Sequence, residues 1–371
     1  MKFLFTCGGT AGHINPALGV AGRLRELLPD SEFLFIGAKG RMETELVPRE
    51  GFPIETIEID NISRSLSVSG LKHNIRTARL VLKSRGEAME ILKRFQPDVA
   101  VGTGGYVCYP ALTAAHSLGI PTLVHESNAV PGLTTRMLSR KVDRVLVGFE
   151  QAAENYPRGA RTVFTGTPVR TEFFRHDRAS ARRALGLDPD RPLVVSVWGS
   201  LGSDHINALM PELLRIAEER HSFDLIHSAG KRGYPKLLAA AGERDALKRK
   251  GLDVREYIYD MPTVMAAADL VLCRSGASTL AELAALGKPA ILVPSPNVTG
   301  HQQEKNAALV ESLGGAKVLL EGGFDAMGLY EAAEALLEDK DGLERMSTAM
   351  RGSGNPAATE QICELVLDFL K

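Results

Sequence analysis

Short apolar runs return along the chain at intervals filled by longer amphipathic segments, and this alternation limits the fold more than any other feature. The runs fall at 2–6, 32–36, 54–59, 98–101, 122–124 and 144–147. A brief apolar strand followed by a helix-length segment, repeated, is the pattern of a parallel sheet wrapped by helices. The rhythm breaks at the Pro- and Gly-punctuated Thr165-Gly166-Thr167-Pro168-Val169-Arg170 and restarts at 193–197, 223–226, 254–258, 270–273, 290–293 and 317–320. Two rounds predict an α/β protein of two doubly wound, Rossmann-like domains, 1–165 and 166–350. Residues 357–370 carry a helical pattern after Gly354-Asn355-Pro356, and the segment 351–371 is expected to pack back on the first domain. Laying the halves together at an offset of 192 pairs His13-Ile14-Asn15 with His205-Ile206-Asn207. Open α/β sheets bind ligands beyond the carboxyl ends of their strands, so two such domains facing each other predict an interdomain cleft.

At 371 residues the chain is long enough for two domains. Its 44 Lys and Arg against 45 Asp and Glu leave a net charge of −1, which excludes the general basic field of a nucleic-acid binder. Residues 1–165 carry 20 basic and 16 acidic side chains and the remainder 24 and 29, so the positive excess lies in the first half. Cys7, Cys108, Cys273 and Cys363 are widely spread with no Cys-x-x-Cys, which suits a reducing compartment and neither a zinc cage nor a disulfide framework. The apolar run in residues 1–7 is too short for a secretory signal, and no stretch reaches the roughly 18 apolar residues of a membrane span. The expectation is a protein made in the cytosol that stays on that side.

The chemistry should reside in the loops that follow the strands. The first is Gly8-Gly9-Thr10-Ala11-Gly12-His13, leading into a helical segment to about Leu28. It fits neither the dinucleotide G-x-G-x-x-G nor the P-loop pattern, but small residues before a helix let backbone amides approach an anion or a sugar. His13, its one titratable side chain, is either a general base or a helix-capping histidine. In the second half, Trp198-Gly199-Ser200-Leu201-Gly202-Ser203 offers Ser200 as a phosphate donor or as a simple cap. Cys273-Arg274-Ser275-Gly276-Ala277-Ser278-Thr279-Leu280-Ala281-Glu282 opens another helix. Its hydroxyls and first-turn amides suit a phosphate, and Glu282 suits either the two hydroxyls of a ribose or the helix dipole. Gln302 and Gln303 offer amides for sugar hydroxyls. Gly102-Thr103-Gly104-Gly105-Tyr106 and His125-Glu126-Ser127-Asn128 follow first-half strands, and Asn128 either contacts a sugar or caps a helix. Asp188-Pro189-Asp190 and Asp339-Lys340-Asp341 match D-x-D but are poorly placed for a metal, and the sequons at Asn61 and Asn297 matter only in a secreted chain.

In this order, the loops resemble those of glycosyltransferase family 28, GT-B enzymes that add GlcNAc to lipid I in peptidoglycan synthesis. The resemblance runs nearly end to end. It rests on Gly8 to His13, Gly104-Gly105-Tyr106, His125 to Asn128, Pro168-Val169-Arg170, Cys273 to Glu282 and Gln302 to Asn306. Departures are Ala11 for a usual glycine, Ser127 for glutamine, and Trp198-Gly199-Ser200-Leu201 for a Gly-Gly-Ser-Gln turn. The resemblance implies that UDP-GlcNAc binds mainly to the second domain. There the Ile258 backbone would meet uracil, Glu282 the ribose, and Ser200 with the Ala277-Ser278-Thr279-Leu280-Ala281 helix start the pyrophosphate. Asn128, Arg170, Gln302, Gln303 and the Thr10-Ala11-Gly12 turn would contact sugar or diphosphate. Gly104, Gly105, Tyr106 and Glu126 would lie on the side of the acceptor, undecaprenyl-diphosphate-MurNAc-pentapeptide. The implied chemistry is inverting transfer to the MurNAc 4-hydroxyl with His13 as base and no metal or cofactor. The implied location is the cytoplasmic face of the plasma membrane, held peripherally, among other cell-wall synthesis proteins. A UDP-GlcNAc 2-epimerase, another GT-B transferase and a non-enzymatic ligand-binding protein are the alternatives.

A lipid-linked acceptor requires a membrane-facing surface. Residues 69–94 form a helical pattern with Leu71, Ile75, Ala78 and Leu82 on one stripe and Lys72, Arg76, Arg79 and Lys83 beside it. Residues 61–95 hold eight basic side chains and only Glu87 and Glu90. This face either docks on an anionic membrane or turns its apolar stripe into the core.

Overall fold

The computed structural model describes residues 1–59, 68–199, 201–242 and 247–371, and only the backbone of residues 68–79 and Thr299. Ser200 and the side chains of Leu71, Lys72, Ile75, Arg76, Ala78 and Arg79 therefore lie outside the described residues. The chain divides into two compact units, Met1–Arg170 with Pro356–Lys371, and Thr171–Asn355.

In the first unit β1 (Lys2–Thr6), β2 (Glu32–Ala38), β3 (Ile54–Ile57), β4 (Val99–Gly102), β5 (Thr122–Glu126), β6 (Arg144–Val147) and β7 (Thr162–Phe164) form one sheet. Its order is β3-β2-β1-β4-β5-β6-β7, parallel throughout. Between the strands run α1 (Ala11–Leu27), α2 (Glu43–Arg49), α3 (Val68–Phe95), α4 (Cys108–Ser117) and α5 (Leu133–Leu138). Strand β5 is buried along its whole length, as expected where helices cover both faces of a parallel sheet. Register is set by matched aromatics: Phe3 stacks on Phe33 and Phe5 on Phe35, each pair at 5.3 Å.

The second unit begins with α6 (Arg178–Leu185) and repeats the plan. Its strands are β8 (Leu193–Val197), β9 (Asp224–Ser228), β10 (Lys248–Arg249), β11 (Leu252–Arg255), β12 (Leu270–Cys273), β13 (Ala290–Leu292) and β14 (Ala316–Val318). Their order is β10-β11-β9-β8-β12-β13-β14, with β10 alone antiparallel. The helices are α7 (Asp204–Arg220), α8 (Gly230–Ala241), α9 (Met261–Ala267), α10 (Ala277–Leu286), α11 (Gln302–Ser312), α12 (Ala326–Glu338) and α13 (Lys340–Gly352). The final α14 (Ala358–Leu367) joins the first unit, where Ile362, Cys363 and Val366 share a core with Ile14, Ala17, Val20 and Leu24 of α1.

One aspartate device pins both sheets. Asp98, Asp143 and Asp269 each sit just before a strand and accept the first amide of its neighbour: Lys2 at 2.8 Å, Thr122 at 2.9 Å and Leu193 at 2.8 Å. The first unit runs to Arg170 rather than 165 because Thr165 and Gly166 still donate to the Val147 carbonyl, at 3.1 and 3.2 Å. Strands β7 and β10 have no counterpart in the sequence reading, being three residues and two residues long. The D-x-D acids are engaged locally: Asp188 accepts the Asp190 amide and Asp339 caps α13 through the Gly342 amide. Among the described residues no helix is long and apolar enough to cross a membrane.

Arg182 is the largest of the fully buried side chains, 1% exposed. Its guanidinium donates to the carbonyls of Ala267, Asp188 and Arg191 and pairs with Asp269 at 2.5 Å. Arg182→Ala leaves three carbonyls without their donor and Asp269 with only Arg178 and the Leu193 amide. Because Asp269 keeps those partners, the cost is that of orphaned buried acceptors, about 1–3 kcal/mol, below the about 3–5 kcal/mol of a broken buried pair. Trp198 is the only tryptophan and lies in the same unit, so its fluorescence during urea unfolding reads this loss directly, as a lower midpoint.

Candidate active site

The loops that follow β1 and β4 in the first unit cross at backbone distance. The Gly8 amide donates to the Gly104 carbonyl at 3.2 Å. Gly105 has φ +92°, and a Cβ there would stand 2.4 Å from the Gly8 carbonyl oxygen, so no side chain is admitted. A Cβ on Gly104 would come within 2.5 Å of the His13 ring. His13 itself is half-buried in the first turn of α1. Its Nδ1 donates to the Gly8 carbonyl at 3.0 Å, and its own carbonyl accepts the Thr103 hydroxyl at 2.6 Å. Thr10 and Ala11 are exposed, and among the described residues their amides have no acceptor. The loop thus presents donors at a helix N-terminus, as the sequence suggested. Gly12 is half-buried beside them, and Tyr106 is 41% exposed.

At the end of β5 the polar loop is braced from within. Glu126 is buried, and its Oε1 accepts the Asn128 amide at 3.1 Å and the Asn128 side-chain Nδ2 at 2.8 Å. Its Oε2 accepts the Gly132 amide at 2.8 Å. Glu126 therefore shapes the loop that carries Asn128, where the sequence reading had it facing the acceptor. Buried His125 donates from Nε2 to the Gly166 carbonyl at 2.9 Å and accepts the Ser127 hydroxyl at Nδ1, 3.3 Å away. Burial lowers its pKa and keeps the ring neutral. Among the described residues the Tyr156 hydroxyl is buried without a hydrogen-bond partner; burial first, then the charge of Glu126, raises its pKa. Tyr156 did not stand out in the sequence, and His125 did so only as the first residue of its loop, since its Gly166 partner is remote in the chain. Arg170, assigned by sequence to the second domain, is the exposed last residue of this unit.

In the second unit, the loop after β8 rests on a directional hydrogen-bond chain. Trp198 Nε1 donates to Ser196 Oγ at 2.7 Å, and that hydroxyl lies 2.9 Å from His227 Nδ1. His227 Nε2 lies 3.0 Å from Asn207 Oδ1, and Asn207 Nδ2 donates to the Ala229 carbonyl at 2.9 Å. Because Asn207 Oδ1 can only accept, the ring proton is on Nε2, and Nδ1 accepts from Ser196. Burial lowers the His227 pKa to about 3, so the chain stays neutral.

The loop after β12 is tied to its neighbours by Arg274. Its guanidinium donates to Ser203 Oγ at 2.9 Å and the Val293 carbonyl at 3.0 Å, pairs with Glu321 at 2.5 Å, and lies 5.6 Å over the Trp198 ring. Gly276 precedes α10 without a side-chain cap, and among the described residues the amides of Ala277 and Thr279 have no acceptor. Ser278, Ala281 and Glu282 are half-buried on this helix, while Leu280 is in the core and offers a ligand no side chain. The Gln302-Gln303 turn is joined to the same loop: Ser275 Oγ donates to the Gln303 carbonyl at 2.7 Å, and Asn306 Nδ2 to the Ser275 carbonyl at 3.2 Å. Gln303 Oε1 accepts the Ser295 amide at 2.8 Å, whereas Gln302 Oε1 is buried without a partner among the described residues. Ile258 is 2% exposed, so only its backbone can meet a ligand; the rings of Tyr257 and Tyr259 flank it 5.0 Å apart. All four cysteines are buried and free, and burial pushes the Cys108 and Cys363 thiols up to about 12, which removes them as nucleophiles.

Comparison with known proteins points one way. The glycosyltransferase family 28 N-terminal domain matches residues 3–147 and the family's C-terminal domain residues 193–362. The UDP-N-acetylglucosamine--N-acetylmuramyl-(pentapeptide) pyrophosphoryl-undecaprenol N-acetylglucosamine transferase of Acetivibrio thermocellus is 42% identical over 371 residues, spanning 100% of this chain and 99% of that protein. The crystal structure of Acinetobacter baumannii MurG superposes with a TM-score of 0.77 at 28% identity, covering 99% of both chains. A UDP-N-acetylglucosamine 2-epimerase from Listeria monocytogenes, described as putative, reaches 0.68 at 16% identity over 100% of this chain and 96% of its own, a likeness of fold alone. With both domains of the family matched in order and a relative this similar along its whole length, the chain belongs to glycosyltransferase family 28.

Proposed function

We propose that the protein transfers GlcNAc from UDP-GlcNAc to the 4-hydroxyl of MurNAc in undecaprenyl-diphosphate-MurNAc-pentapeptide, releasing UDP. The observation that carries this reading is the full-length identity to a transferase whose name states that donor and that acceptor. The two half-sites supply groups suited to each part of the reaction.

In the second unit, the uncapped amides of Ala277 and Thr279 at the start of α10 suit the diphosphate. Glu282, one turn on, suits the ribose hydroxyls. Gln302, with a buried and unanswered Oε1, suits a hydroxyl donor of the sugar. In the first unit, His13 carries its proton on Nδ1, which leaves the Nε2 lone pair to take the acceptor proton. The bond between the MurNAc 4-oxygen and GlcNAc C1 forms on the face opposite UDP, the bond from C1 to the diphosphate oxygen breaks, and the linkage inverts to β. Charge developing on the departing UDP is met by the helix amides and by Arg170, without a metal cofactor.

The acceptor's lipid tail requires a docking face, and we place it on α3 and α5 of the first unit. Leu82 of α3 is 72% exposed, and α5 exposes Leu133 and Met137 one turn apart beside Arg136 and Arg140. Lys83, which the sequence put in the basic stripe, is tied to Glu58 at 2.5 Å and to Glu87 at 3.6 Å and contributes little free charge. The face fits the anionic, cytoplasmic leaflet of the plasma membrane.

Incubation with UDP-GlcNAc and a short-chain lipid-linked acceptor tests the whole reading: UDP release that depends on the acceptor supports it, while formation of an epimer without acceptor would replace it by the epimerase. Glu282→Ala should weaken calorimetric UDP binding by about 1.5–3 kcal/mol, the range for a charged hydrogen bond. Unchanged affinity in the folded variant removes Glu282 from the ribose. His13→Ala should lower kcat by roughly 10² to 10⁴ with little change in UDP affinity, where chemistry limits turnover. Each basic side chain at an anionic surface is worth about 1 kcal/mol, so reversing Lys72, Arg76, Arg79, Arg136 and Arg140 to Glu should abolish salt-sensitive sedimentation with anionic liposomes. Turnover of a water-soluble acceptor should persist; sedimentation equal to wild type would move the docking face elsewhere.

A further inference from the structure

Glu43, which no motif singles out, is 0% exposed at the start of α2. Its Oε1 accepts the Ala38 amide at 2.9 Å, at the end of β2, and its Oε2 accepts the Gly9 amide at 3.0 Å, in the loop after β1. The carboxylate lies so close to that loop that a Cβ on Gly8 would stand 2.3 Å from Oε1. Gly8 is therefore glycine because Glu43 occupies the space.

The Gly9 amide and the Gly8 carbonyl are the two ends of a single peptide group. That carbonyl is the acceptor of the His13 Nδ1 proton. A line of hydrogen bonds thus runs from the carboxylate of Glu43, through the planar peptide 8–9, to the imidazole. A peptide cannot rotate one end without the other. A carboxylate fixed on its N–H both holds the carbonyl in the plane the ring needs and polarises it as an acceptor. The carbonyl cannot donate, so its bond to the ring at 3.0 Å requires the proton on Nδ1; the Thr10 hydroxyl, the other neighbour of that nitrogen, is farther off at 3.4 Å, and Nε2 is left as the lone pair.

The geometry points to Glu43 as the positioning residue of the reaction: through the peptide between Gly8 and Gly9 it sets the tautomer and orientation of His13. The role is that of the carboxylate behind a catalytic histidine, with a peptide group inserted between them. It rests on the reading of His13 as the base, and it accounts for a buried carboxylate whose two oxygens each accept a backbone amide.

Two measurements test it. Nitrogen NMR of the full-length protein labelled in its histidines, with His13→Asn to assign the signal, should find the His13 proton on Nδ1. A proton on Nε2 overturns the relay with no need for a Glu43 variant. In Glu43→Gln the side chain keeps its shape but can no longer accept both amides. Its kcat should fall by about ten- to a hundredfold, less than the roughly 10² to 10⁴ a positioned base contributes, with the KM for UDP-GlcNAc unchanged and the Nδ1 signal lost. Combined with His13→Ala, Glu43→Gln should change kcat by less than about twofold, since both act through one group. An equal loss in the two backgrounds, or a wild-type kcat in Glu43→Gln alone, overturns the assignment. A His13→Ala enzyme at the wild-type rate removes the base reading instead, and the nitrogen signal alone then decides whether Glu43 sets the ring.

Discussion

Backbone packed directly against backbone is the constraint on which both half-sites depend. Where the loops after β1 and β4 cross, the Gly8 carbonyl fills the space a side chain at Gly105 would need. In the second unit the loop after β8 meets the loop after β9 in the same way, with a Cβ at Gly202 falling 1.9 Å from the Ala229 carbonyl oxygen. Crossings this tight leave amides and carbonyls rather than side chains at the carboxyl edge of each sheet. Those are the groups that suit sugars, which offer hydroxyls, and diphosphates, whose charged oxygens accept from several amides at once. Among the side chains that remain, Arg274, Asn306 and Gln303 are held by neighbouring loops.

The electrostatics follow from the same packing. Histidines sealed into the sheets, His125 and His227, are kept neutral by burial and serve as two-ended hydrogen-bond bridges. The buried thiols are likewise held protonated, with Cys108 donating to the carbonyls of Thr6 and Gly104 beneath the crossing loops. His13 differs in standing half-buried with one nitrogen committed, which is why it, rather than the deeper histidines, suits proton transfer.

Much of the architecture is legible in the sequence because its cause is local. Strands at Lys2–Thr6, Arg144–Val147, Leu193–Val197 and Leu270–Cys273 coincide with their apolar runs, and α10 ends against Gly287. What is hidden depends on partners far away in the chain. Glu43 looks like any first-turn acid until β2 and the loop after β1 close around it. Glu126 looks like a ligand-binding acid, yet its oxygens are taken by Asn128 and Gly132. The pairing of His13 with His205 shows the limit of pattern alone. Both follow the strand of their sheet that comes first in the chain, but His205 packs edge-on against Phe324 with a buried Nε2 that has no partner among the described residues, while Asn207 beside it carries the structural network.

The return of α14 to the first unit has a consequence for how the chain matures. Residues Thr171–Asn355 precede the last helix in the chain, whereas the first unit lacks Ile362, Cys363 and Val366 from its core until α14 has been made. The usual order, in which the amino-terminal domain folds first during synthesis, cannot complete the first unit, whose core includes α14. The first unit, begun first, is finished last, and a chain without α14 would hold a whole second unit joined to a first unit with an open core.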